Sequence, residues 1–212
     1  MALQTIQIAD KPTLDEVKTL VDGIVANAGG GCVAKVTVGD VLNLDKSIST
    51  LPYNFYYSSG AVVLDGEIHI LGGSGGTTSH YKYSGTSWVS VSTLPYNFDS
   101  SCAVVLNGEI HILGSFNTNY RKCHYKWNGS SWISISTLPY DFFQSSAVVY
   151  NNEIHILGSA SSTAYTKHYK WNGTSWESVS TLPYNFCYGS AVVLDGEIHI
   201  LGGTSANYTS HY

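Results

Sequence analysis

AVVLDGEIHILGG, residues 61–73, decides how the rest of the chain is read. It returns as AVVLNGEIHILGS at 103–115, AVVYNNEIHILGS at 147–159 and AVVLDGEIHILGG again at 191–203. The AVVL run suits a strand buried on both faces. In EIHIL the side chains alternate, with Ile68 and Ile70 on one face and His69 and Leu71 on the other. Between the two runs stand Asp65-Gly66 and Asn107-Gly108, pairs that favour a type I′ hairpin because both central residues need φ > 0. Asn151-Asn152 fills the same place with a weaker signal.

Further out the copies stay in step. HYKYSGTSW at 80–88 becomes HYKWNGSSW at 124–132 and HYKWNGTSW at 168–176, a third strand followed by a second turn at Asn128-Gly129 and Asn172-Gly173. A Ser-rich alternating strand, SWVSVS from Ser87, leads to TLPY, which recurs at 50–53, 93–96, 137–140 and 181–184 with spacings of 43, 44 and 44 residues. Four antiparallel strands per ~44 residues, copied in tandem, predict the blades of an all-β propeller. One such sheet cannot shield its own two apolar faces, so the copies must stack about an axis.

With Gly72-Gly73 and Gly202-Gly203 after the second strand, Tyr81, Tyr125, Tyr169 and Tyr212 beyond them, and Trp88, Trp132 and Trp176 later still, the unit resembles the kelch repeat. The resemblance covers about residues 47–212 and implies four kelch-like blades. Gly114-Ser115 and Gly158-Ser159 depart from the diglycine, and the arginine usual near the start of a kelch blade is missing, which suggests a divergent, prokaryotic or viral, branch. The fourth copy stops at Tyr212, after its third strand. SISTLPY at 47–53 is identical to 134–140, where it forms an outer strand and its exit. Pairing that spare strand with the last blade would satisfy its backbone edge and close a four-bladed ring. Asp45 stands where the other outer strands have Trp, and repeats continuing in a longer chain are the competing reading.

Residues 1–46 lie outside the repeat and are expected to form a small α/β segment with one helix. Thr13 after Pro12, with Glu16 three residues on, makes a capping box. Leu14, Val17, Val21 and Ile24 follow as an a/d stripe that would either pack on its own domain or serve docking or oligomerisation, a trimer being favoured. Gly29-Gly30-Gly31 ends the helix. The opening, ADKPTLDEVKTLV, resembles the N-terminus of bacteriophage tail-fibre and other virion appendage proteins.

Composition narrows the function. Charged residues make up only 12% against 13% aromatic, so the polar surface is built from Ser, Thr, Asn, Gly and Tyr. The net charge of −5 and the absence of any Lys/Arg block argue against nucleic acid. No positive n-region precedes an apolar run, and no apolar stretch is long enough for a membrane helix. The four cysteines, Cys32, Cys102, Cys123 and Cys187, fall at non-equivalent places in the repeat, which reads as free thiols and assembly in a reducing compartment; the resemblance to virion appendage proteins implies that this is the bacterial host cytoplasm.

The eight histidines fall two per repeat, at 69/80, 111/124, 155/168 and 199/211. Copied positions in strands read as part-buried packing rather than metal ligands, and Glu67, Glu109, Glu153 and Glu197 after the hairpin turns read as solvated. No acid/base pair or nucleophile arrangement stands out, so neither catalysis nor a cofactor is expected.

The two rims differ. Turns after the first and third strands are nearly constant: DGE, NGE, NNE, DGE and SGTSW, NGSSW, NGTSW. On the opposite rim the connections vary: SGGTTS, SFNTNYRKC, SASSTAYTK and TSANYTS, with PYNFYYSSG, PYNFDSSC, PYDFFQSS and PYNFCYGS beside them. Variation confined to one rim of a fixed frame suits a binding surface, although drift would also produce it. Tyr56, Tyr57, Phe116, Tyr120, Phe143, Tyr165, Tyr188 and Tyr208 offer flat amphipathic faces; Asn117, Asn119, Gln144 and Asn207 offer amides; Arg121 is the sole arginine. Stacking rings beside amides suit a sugar or a protein surface. The expectation is therefore a phage tail-fibre or receptor-binding component that touches a host surface glycan. A bacterial kelch-type lectin or interaction module is one alternative, and a ligand-free capsid or tail decoration protein is another.

Overall fold

A computed structural model describes residues 49–55, 60–73, 77–204 and 209–212. The segment with Leu14, Val17, Val21 and Ile24, where a helix is expected, and the rim residues Tyr56, Tyr57, Asn207 and Tyr208 lie outside them. The described residues are all-β. Three sheets have four antiparallel strands in sequence order. They hold β1 (Gly60–Leu64), β2 (Glu67–Leu71), β3 (Ser79–Tyr83) and β4 (Trp88–Thr93); β5 (Cys102–Leu106), β6 (Glu109–Leu113), β7 (Cys123–Trp127) and β8 (Trp132–Thr137); and β9 (Ser146–Tyr150), β10 (Glu153–Leu157), β11 (Lys167–Trp171) and β12 (Trp176–Thr181). The fourth sheet pairs β13 (Ser190–Leu194) with β14 (Glu197–Leu201), and a single antiparallel bridge joins Leu201 to His211. We number these blades 1 to 4.

Local chemistry sets these elements. Asp65-Gly66, Asn107-Gly108, Asn151-Asn152 and Asp195-Gly196 all take positive φ at both positions, so each first hairpin turns as the sequence predicts. A bulge recurs in the third strand at His80/Tyr81, His124/Tyr125 and His168/Tyr169. Between blades, the face formed by Val104, Leu106 and Leu113 of blade 2 packs on Ile154, Ile156 and Trp171 of blade 3. The same half-faces meet between blades 1 and 2 (Val62, Leu64 and Leu71 against Ile110, Ile112 and Trp127) and between blades 3 and 4 (Val148 and Leu157 against Ile198 and Ile200). Phe98, Phe142 and Phe186, from the connections, are fully buried beside these seams. Each such aromatic removes a large apolar area from water, worth about 1.5–3 kcal/mol apiece. Neighbouring blades therefore hold one another through apolar faces that no single sheet could cover.

One departure from expectation is electrostatic. Glu67, Glu109 and Glu153 are not merely solvated. Each accepts an ion-paired hydrogen bond from a lysine of the adjacent strand: Lys82 at 2.8 Å, Lys126 at 2.8 Å and Lys170 at 3.1 Å. The diagonal register of an antiparallel pair brings residue i within reach of the long lysine two positions off its partner.

Candidate functional site

The repeated histidines form a relay within each complete blade. His69 Nδ1 lies 2.8 Å from His80 Nε2, and His80 Nδ1 lies 2.8 Å from Ser92 Oγ. Ser92 Oγ also accepts from the indole N–H of Trp132, on the next blade, at 3.0 Å. His111, His124, Ser136 and Trp176 repeat the set (2.9, 2.7 and 3.0 Å), and His155, His168 and Ser180 repeat its first two contacts. The His80 ring sits edge-on to Trp127 and Trp132, which explains its burial. Burial and the neighbouring imidazole push His80 and His124 down to about 3 and His168 to about 4. Both rings of a pair are held neutral there, chiefly because burial disfavours the charged form of each. Among the described residues no group of three His, Cys, Asp or Glu side chains stands close enough to hold a metal. The relay is a structural joint between blades.

On the variable rim the structure gathers Phe116, Arg121 and Phe143. The two phenyl rings meet edge to face at 5.9 Å, and the Arg121 guanidinium lies 4.2 Å over the Phe143 ring. Arg121 also donates to the Phe116 carbonyl at 3.3 Å and stands 3.7 Å from the Asp141 carboxylate. Asn97, Asp99, Phe116, Asn117, Thr118 and Arg121 line an open cleft of about 390 Å³. Asn119 is exposed beside it, its backbone N–H capped by the Asn117 side chain.

A second feature climbs from blade to blade. Gln144 N–H donates to the Ser100 carbonyl at 2.7 Å, and Tyr188 N–H donates to the Gln144 carbonyl at 2.8 Å. The Tyr188 hydroxyl then reaches the Gln144 side-chain oxygen at 2.8 Å. Ser100, Gln144 and Tyr188 occupy equivalent positions just before the innermost strands, and all three have left-handed φ of 49°, 50° and 61°. Non-glycine residues held there cost stability and concentrate at ligand sites. Different side chains thus share one strained backbone frame.

The other predicted residues are placed differently. Tyr120 stacks on Tyr96 at 5.0 Å and packs against the seam between blades 1 and 2. Tyr165 is half-buried, and its carbonyl accepts from Phe186 N–H at 2.9 Å. Neither joins the Phe116 cluster. Sequence reasoning missed Asn97, Asp99 and Ser100, whose only signal was their alignment with Asp141, Phe143 and Gln144 in the next copy. Cys102, Cys123 and Cys187 are free thiols; burial pushes Cys102 up to about 12, which removes it from nucleophilic chemistry at neutral pH.

No protein-family profile matches the chain, and no curated protein matches it. Among solved structures it is similar to that of YjhT, a kelch-type β-propeller, at a TM-score of 0.62 and 16% identity over 74% of this chain. The chain spans 61% of YjhT's length. At that identity the likeness shows the fold alone: the described sheets are arranged as in a β-propeller.

Proposed function

We propose that the chain is a virion-associated binding protein without catalytic function, a phage tail-fibre or receptor-binding component whose variable rim takes a host surface ligand, of which a glycan is the best-suited class. The observation that carries this reading is the rim itself. Phe116 and Tyr188 are exposed rings, flanked by the Asn117 and Gln144 amides and Arg121, on a backbone strained alike at Ser100, Gln144 and Tyr188. Flat rings stack on the apolar faces of sugars while amides satisfy their hydroxyls. In this reading residues 1–46, with Leu14, Val17, Val21 and Ile24, dock to other virion proteins or oligomerise. Residues 47–53 supply the outer strand that completes blade 4.

The test is binding of the purified chain to host cells and to an immobilised glycan panel. Phe116→Ala and Tyr188→Ala should each weaken binding by tenfold or more without lowering the thermal midpoint. Binding that neither substitution changes would contradict the rim assignment, and a chain that binds neither cells nor glycans would favour a decoration protein.

A further inference from the structure

The two ends of the blade series expose opposite halves of one interface. Blade 4 turns outward Val192, Leu194 and Leu201, equivalents of the blade 2 residues Val104, Leu106 and Leu113 that pack on blade 3. Leu194 is 58% exposed where Leu106 is 6%. Blade 1 turns outward Ala61, Val63 and Ile68, equivalents of Ala147, Val149 and Ile154, which receive blade 2. Ile68 is 43% exposed where Ile154 is 0%.

The polar joint is split the same way. Trp88 Nε1 donates to Ser49 Oγ at 3.1 Å, as Trp132 does to Ser92 and Trp176 to Ser136. Ser49 therefore occupies the place of an outer-strand serine belonging to a blade before the first. In the complete blades that serine also meets the second histidine of its own blade; no histidine meets Ser49 among the described residues. At the other end His199 and His211 form their pair at 3.0 Å, and among the described residues His211 meets no serine. One end holds a serine and tryptophan waiting for a histidine, and the other holds the histidine pair.

We infer that a second copy of this chain docks head to tail on these faces, blade 4 of each copy packing on blade 1 of the other, with Ser49 of one copy meeting His211 of its partner. The occupant is a blade because the exposed residues are equivalents of those that take a blade at the seams between blades 1 and 2 and between blades 2 and 3, in the same order. A second copy fits because the two exposed faces are complementary halves of one seam, and among the described residues of one chain Val63 and Ile68 at one end and Leu194 and Leu201 at the other stay exposed. Two fourfold sets make eight blades, the upper end of the usual propeller range, and two identical heterologous contacts close such a ring. The inference rests on the proposal that residues 47–53 complete blade 4, and makes that completion reciprocal between copies.

Two measurements on the full chain test it. Light scattering should give a mass that is an even multiple of the 22.9 kDa of one chain. Leu194→Asp or Val63→Asp should halve that mass with circular dichroism unchanged, and mixing the two variants, each with one intact face, should restore pairing. A mass that neither substitution alters overturns the inference. Independently, Ser92 and Ser136 are the cross-strand partners of His80 and His124, so Ser49→Cys combined with His211→Cys places thiols at disulfide distance. Oxidation should yield a covalent species of two chains that the unsubstituted protein does not form. A crosslink within one chain overturns the inference and leaves the strand completion standing; no crosslink overturns both.

Discussion

At the residue scale, Gly114 shows why one glycine of the repeat persists in every copy while its neighbour changes. A Cβ on Gly114, at φ 65°, would stand 2.0 Å from the Phe142 carbonyl oxygen, and Gly72 and Gly158 meet Phe98 and Phe186 as closely. The next position tolerates a side chain: Ser115 Oγ is buried and donates to the Asn97 carbonyl at 2.9 Å, a bond Gly73 cannot make. Gly114→Ala should therefore cost about 3 kcal/mol or more, through clash and strain together. Ser115→Gly should cost about 1 kcal/mol, the worth of one hydrogen bond. Urea denaturation distinguishes them, and equal losses would refute the account. The departure from diglycine at Ser115 and Ser159 was visible in the sequence, but its tolerance was not, because it depends on a carbonyl 18 residues away.

At the element scale, the blade depends on its histidine relay. His80, His124 and His168 are held neutral by burial, with folded values of about 3, 3 and 4 against an ordinary 6.5. Because the folded values are depressed for a base, the unfolded chain takes up protons first. The stabilisation is full above about pH 6.5 and is lost progressively as pH falls, down to about 4 for His168 and about 3 for His80 and His124. Each histidine contributes a slope of about 1.4 kcal/mol per pH unit in that window, so three give about 4 kcal/mol per unit. Thermal midpoints should fall steeply between pH 6 and 4, and a flat profile would contradict the relay. Ser136→Ala, which strands both Trp176 and His124, should cost about 1–3 kcal/mol at pH 7. Strands and hairpin turns were legible from AVVL, EIHIL and the Asp-Gly and Asn-Gly pairs, since local chemistry alone specifies them. The relay was only half legible. Its copied spacing marked the histidines as packing, yet the tryptophan that completes it comes from the next blade, 40 residues on.

At the scale of the whole repeat region, stability comes from seams rather than sheets. Phe98, Phe142 and Phe186 sit at zero exposure beside them, and Phe142→Ala should cost about 3–5 kcal/mol by opening a cavity there. The rim was legible as the variable side of a fixed frame. Its membership was less so: Tyr120 carries a ring like the other rim aromatics but is stacked on Tyr96, whereas Ser100 has neither ring nor amide to mark it and aligns with Gln144 and Tyr188 through its left-handed backbone.

The central claim is that copied sheets pack side by side with their first strands innermost. Amide hydrogen exchange resolved by strand tests it most directly. The account predicts that β5 and β9, flanked by blades on both sides, exchange slowest, while the outer strands β4, β8 and β12 exchange faster. Outer strands protected as strongly as β5 and β9 would contradict it.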